Sequence, residues 1–290
     1  MAKGKQKGLG WKAFPHPDKG YLRTGAALAK YWPQLHAGDG EPFPDTARLT
    51  DLADRFPAVA KELGKDADAV AADLQDGWRC FHAGDFEQAT LIGERYPLLG
   101  ATLANKASGI YATYLAEDED KEAIFKQGAE RAERAAAVLK DDPNAHYFRA
   151  FALGRLSQCM SVAKALAQGL GGKIRESLDR TLSLNPDHAE AQTAMGLYHA
   201  EIIDKVGAMI GGLTYGAKAD KGLTHLRKAV ELTPKAPIAQ IELGNGLLLL
   251  YGDKKMAEAV SAYEQAAAMK PRDAMEKLDI EMAKAELEEE

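Results

Sequence analysis

The chain has 290 residues, of which 46% are hydrophobic, 28% charged and 7% aromatic. That is enough apolar material for a sizeable core or one extended solenoid, and it excludes wholesale disorder. Abundant alanine with few β-branched and aromatic residues favours helix over sheet. A net charge of −6 argues against a general nucleic-acid binder, and no apolar run nears the roughly 18 residues that membrane insertion needs.

Residues 1–8, "MAKGKQKG", are basic with no apolar stretch behind them. They read as a disordered, solvated tail and not as a signal peptide. Two isolated cysteines, Cys80 and Cys159, make no metal motif and fit a reducing compartment, so a cytoplasmic location is expected. Residues 9–45 are dense in proline, glycine and aromatics, within an N-terminal cap expected over residues 9–65. A short helix is expected over Leu22–Tyr31, with Pro33 in the first turn of a following segment and "HAGDGEPFPD" as a loop. Trp11, Phe14, Tyr21, Trp32 and Phe43 are expected to form an aromatic-rich helical cap over the open N-terminal end of a solenoid. A docking segment for a partner is the alternative.

From residue 66 onward the chain repeats itself. Proline follows an apolar-periodic segment at Pro143, Pro186, Pro234 and Pro271, and glycine falls inside the next helix at Gly154, Gly196 and Gly244. Weaker copies place Gly77 and Gly109 in the same role, and Gly84-Asp85 in "HAGDFEQA" reads as a helix–turn–helix joint. A mid-helix glycine costs roughly 1 kcal/mol against alanine, so its recurrence implies a close helix crossing. The Pro-to-Pro spacings are 43, 48 and 37 residues, and the excess lies between the two helices of a unit, as in residues 204–222.

This pattern resembles the tetratricopeptide repeat (TPR), a helical hairpin of about 34 residues. Leu243, Gly244 and Leu247 match its first helix, Ala259, Tyr263 and Ala266 its second, and Pro271 its end. The preceding copy matches with Met195, Gly196, His199, Gly222, Leu226, Ala229 and Pro234. The segment "LNPDHAEA…MGLYHAEI…GLTHLRKAVELTP" is also similar to the TPR-like regions of regulator-of-microtubule-dynamics proteins and of the T component of bacterial tripartite transporters. The resemblance implies an all-α, irregular TPR-like helical-hairpin solenoid of about five hairpins over residues 66–271, with capping helices at both ends. Residues 272–290 supply the C-terminal one, an amphipathic helix with Met275, Leu278, Met282 and Ala285 along one stripe.

No catalytic pattern is legible. "QGLGGKIRES" fails as a phosphate loop because Ala167 and Ile174 stand where Gly and Ser/Thr are required. The seven histidines form no zinc spacing, and His82, His146 and His188 fall at helix ends, where surface or capping roles are ordinary. An enzyme is not expected, nor a cofactor or metal. The resemblance implies instead a concave surface lined by the first helix of each hairpin. It places Leu74, Trp78 and Phe81 there from the first copy, then Lys106 and Thr113, then Phe148, Arg155 and Gln158, then Glu190 and Thr193, and Asn245 from the last. The carboxylate clamp of chaperone-binding TPR domains is absent, since Ile110 stands where an asparagine is wanted. The expected function is a non-enzymatic scaffold that holds a protein or peptide partner in this groove through Trp78, Phe81, Lys106, Phe148, Arg155, Gln158, Glu190, Thr193 and Asn245. The alternative is a small-molecule or transport-associated binding protein with an internal apolar pocket near residues 204–222, using Gly211, Gly212 and Tyr215.

Overall fold

The computed structural model describes residues 10–288, and every regular element among them is helical. The basic tail expected at 1–8 lies outside the described residues. Three helices come first: α1 (Ala27–Leu35), α2 (Thr46–Arg55) and α3 (Pro57–Leu63). Five hairpins follow. They are α4 (Ala67–Ala83) with α5 (Phe86–Glu94), α6 (Ala101–Tyr114) with α7 (Asp118–Val138), and α8 (Pro143–Gln158) with α10 (Leu170–Leu184). Then come α11 (Ala189–Val206) with α13 (Ala219–Leu232), and α14 (Pro237–Tyr251) with α15 (Met256–Ala267). A final helix, α16, spans Ala274–Glu288.

The irregular spacing has a structural cause. Short helices are inserted inside the third and fourth hairpins: α9 (Val162–Ala167) and α12 (Ala208–Tyr215). The glycine-rich insertion is thus a helix, not a loop. Gly211 packs against Ile202 from within it, while Met209 and Leu213 are 76% and 85% exposed. Hairpin joints follow local chemistry. Gly84 takes the left-handed conformation (φ 92°) that L-residues avoid, and the Asp85 carboxylate then accepts from the Gln88 amide to start α5. Pro143 and Pro237 occupy first turns, where their missing N–H costs nothing.

The mid-helix glycines divide. At Gly196 a Cβ would sit 2.5 Å from the Leu226 side chain, so α11 and α13 cross only because the side chain is missing. At Gly154 a Cβ would meet nothing within 4 Å, since this position faces a hollow. The expectation of a tight crossing there is corrected.

The ends of the chain depart most from expectation. α1 starts later than expected and carries Pro33 within it. Burial of Leu28, Trp32 and Leu35 against the core outweighs the lost backbone hydrogen bond. The N-terminal segment does not stop at the first hairpin; it crosses the concave face. Trp11 packs on Tyr111, Phe14 on Phe86, and Trp32 on Trp78, with ring centroids 4.2, 6.2 and 5.5 Å apart. Gly38 O accepts from the Glu190 amide, at the start of α11. At the other end α16 covers the last hairpin but also reaches back to α4. Its Ala274 and Leu278 enter the same core as Trp78 and Phe81. The solenoid therefore closes into a ring.

Candidate binding cavity

Inside this ring the concave face has two unlike parts. The part over α4 and α6 is filled by the chain itself. Here His36 stacks on Trp32 and meets Trp78 edge-on, and its Nδ1 is 3.0 Å from Asp39 Oδ1. Lys106 Nζ donates to Asp39 Oδ2 at 2.5 Å and to Glu190 Oε1 at 2.9 Å. Burial by itself would strip the Lys106 proton, but the two carboxylates outweigh it and hold its pKa above the usual lysine value. Burial likewise opposes the Asp39 charge, and Lys106 with His36 reverses that and holds Asp39 below the usual carboxylate range. A second buried pair joins His82 Nδ1 to Asp273 Oδ2 at 2.7 Å, between α4 and the turn before α16. Burial lowers the His82 pKa; burial also opposes the Asp273 charge, and the contact with His82 outweighs it and lowers the Asp273 pKa.

The other part is open. A cavity of about 620 Å³ lies between the first helices of the second to fifth hairpins and is closed off by α10 and α16. Its walls are mostly apolar, including Ile110, Phe151, Ile174, Leu197, Ile202 and Met282. The rim is formed by α9, by the end of α11 and by Tyr215 of α12.

Seven of the nine expected partner-binding residues border this one cavity: Lys106, Phe148, Arg155, Gln158, Glu190, Thr193 and Asn245. Lys106 does so only from the edge, being 3% exposed and held by Asp39 and Glu190. Trp78 and Phe81 stand apart. They are buried against Trp32, His82 and Phe86, so the expectation that they face a partner is corrected: the N-terminal segment already covers them. Tyr215 borders the cavity, whereas Gly211 and Gly212 do not. His188 caps α11 by accepting from the Ala191 amide, and His146 lies on the surface. His82, expected at the surface, is fully buried because Asp273 returns to meet it.

The polar groups of the cavity converge at one end, and several were missed in the sequence. The Tyr114 hydroxyl donates to Asp279 Oδ1. Glu242 accepts from Asn245 Nδ2 at 2.8 Å and lies 3.6 Å from the Arg155 guanidinium, and Tyr263 donates to Asn245 Oδ1 at 2.6 Å. Burial raises the pKa of both acids, and that of Asp279 rises well above the ordinary value, with Glu276, Asp273 and Glu242 adding to the effect. A signal for Asp279 was present. It shares the spacing 275, 279, 282, 286 that puts Met275, Met282 and Glu286 on the cavity side of α16.

Hairpins stacked in this order define a TPR-like solenoid. Residues 100–289, almost two thirds of the chain, match the family model described as regulator of microtubule dynamics protein 1-3, and the chain belongs to that family. In fold it is similar to a thermophilic TPR protein of Thermus thermophilus, with a TM-score of 0.53 and 16% identity over 74% of this chain and 99% of that one. A monomeric IFIT1 mutant with Gppp-AAAA is similar at a TM-score of 0.44 and 16% identity, covering 83% of this chain and 59% of that one. No curated protein matches in sequence. Among the described residues no helix is long and apolar enough to cross a membrane.

Proposed function

We propose that the chain is a non-enzymatic interaction scaffold that holds an apolar stretch of a protein partner, a peptide or one face of a helix, in the central cavity. The observation that carries this reading is the convergence of four hairpins' first helices on one hollow of about 620 Å³. Apolar walls supply the affinity, and a few polar groups at one end set orientation. The half of the groove over Trp78 and Phe81 takes no part, because the N-terminal segment occupies it. A second reading is a compact apolar molecule. Enclosure by α16 favours it, and the volume falls within the roughly 300–1,000 Å³ of small-molecule sites.

Gly154→Leu tests both readings. A Cβ there meets nothing within 4 Å, the hollow offers room beyond it, and the change removes a helix-interior glycine, so the variant is expected to fold at least as stably as the wild type. A photo-crosslinker at Leu197 is expected to capture a defined peptide in the wild type and nothing in Gly154→Leu. Native mass spectrometry would reveal a retained small molecule lost in the same variant. Capture unchanged by the filled cavity would overturn the proposal.

A further inference from the structure

The polar end of the cavity has an unused acceptor. Asp279 is 1% exposed and borders the cavity, and its Oδ2 meets no hydrogen-bond donor, whereas Oδ1 takes the Tyr114 hydroxyl. A buried carboxyl oxygen without a partner is costly. Because burial and the neighbouring acids raise the Asp279 pKa, an incoming cation must displace the carboxyl proton to solvent, and a small turn of the side chain must open Oδ2 to the hollow. Charge around it is one-sided: Glu242, Glu276 and Asp273 all act on Asp279. The cations nearby are committed elsewhere, Arg272 to Glu276 and Arg155 to Glu242 and Gln158. We infer that this end of the cavity receives a primary ammonium group at the tip of an unbranched alkyl chain, with Asp279 Oδ2 as its acceptor and Met275, Met282 and Ile110 along its stem.

The chemistry selects this group over its rivals. A guanidinium binds carboxylates through a planar fork that needs both oxygens, and Oδ1 is taken. An ammonium is a compact donor satisfied by one carboxylate oxygen, with its remaining N–H bonds free for Tyr114 or water. Its methylene stem buries on apolar walls while the head stays polar, and the spacing of Met275 and Met282 about Asp279 supplies such walls on the same face of α16. A carboxylate or phosphate would meet a surplus of like charge. Two sources carry this chemistry, a lysine side chain of a protein partner or a free alkylamine, and the former rests on the scaffold reading above.

The test titrates the full chain with octylamine and octan-1-ol by calorimetry. It also uses a pentapeptide of four leucines around a central lysine, capped at both ends, beside its norleucine analogue. Octylamine is expected to bind about tenfold tighter than octan-1-ol, as a charge-assisted hydrogen bond implies. Asp279→Asn, which keeps the size of the side chain, is expected to abolish that preference with an unchanged unfolding midpoint. The same preference for the lysine peptide over the norleucine one would assign the group to a protein partner; a preference confined to octylamine would assign it to a free amine. Equal binding of octylamine and octan-1-ol, both blocked by Gly154→Leu, would overturn the ammonium inference and leave the cavity reading intact. No binding by any of the four probes would overturn both. Because the octylamine and octan-1-ol comparison is made on the wild type, it stands even if Asp279→Asn fails to fold.

Discussion

The two halves of the concave face are built from the same hairpins, yet one is core and the other is a site. Over α4 and α6 the space between hairpins is taken by residues 32–39, which bring their own tryptophan, histidine and carboxylate. Over α8, α11 and α14 no segment of the described chain enters, and the surface stays hollow. Register alone treats Trp78 and Asn245 as equivalent groove positions. What separates them is a distant segment that covers one and leaves the other, so in a closed solenoid groove position does not by itself mean access.

The contrast can be broken or sharpened by substitution. The largest effect is expected from Lys106→Met in the filled half. It leaves the Asp39 and Glu190 carboxylates without their cation, and unfolding in urea should show a loss of about 3–5 kcal/mol. A loss below about 1 kcal/mol would mean that the filled half is a loose cover instead of a core. A subtler comparison sets Gly93→Ala against Gly244→Ala. At Gly93 the new Cβ would lie 2.7 Å from the Gly100 carbonyl oxygen and the Ala104 amide nitrogen, backbone atoms that cannot yield. A cost of about 1–3 kcal/mol is expected. At Gly244 the Cβ meets the Tyr263 ring at 2.9 Å, a side chain, and the nearest backbone atom, the Ala259 carbonyl oxygen, is farther off at 3.3 Å. With the helix-propensity gain set against this, the net cost should stay below about 1 kcal/mol. Equal melting temperatures for the two variants would erase the distinction.

The smallest effect concerns acid. Burial lowers the His199 pKa to about 4, so between pH 6.5 and 4 the unfolded chain binds a proton there that the folded chain does not. Stability from this group is present at neutral pH and falls as pH drops through that window. The expected loss is about 1 kcal/mol between pH 7 and pH 5. His199→Asn should therefore narrow the gap between unfolding midpoints measured at those two pH values; an unchanged gap would place the acid sensitivity elsewhere.

The hairpins were legible because they rest on local rules. Proline in first turns, an aspartate after Gly84, and the close crossing at Gly196 all act within one repeat. What sequence could not convey was contact across 191 residues, as between His82 and Asp273, or across 67, as between Asp39 and Lys106. No periodicity encodes such pairs. His82 therefore reads as a surface residue, Asp39 as part of a loop, and Trp78 as a contact for a partner. At Gly154 the failure was subtler: the glycine was seen, but the space beside it was not. For the cavity, the lining positions on α8, α11 and α14 followed from register, while the wall supplied by α16 and the role of Asp279 depended on ring closure.

That closure also changes how the fold can come apart. In an open array of repeats each unit touches only its neighbours, and the terminal units fray first while the middle holds. Here the turn before α16 is fastened to α4, and the N-terminal segment spans from the first hairpin to the fourth. Neither end of the described chain is a free end. Detaching either terminal segment breaks contacts with the first hairpin, so cooperative unfolding of ends and repeats together is expected.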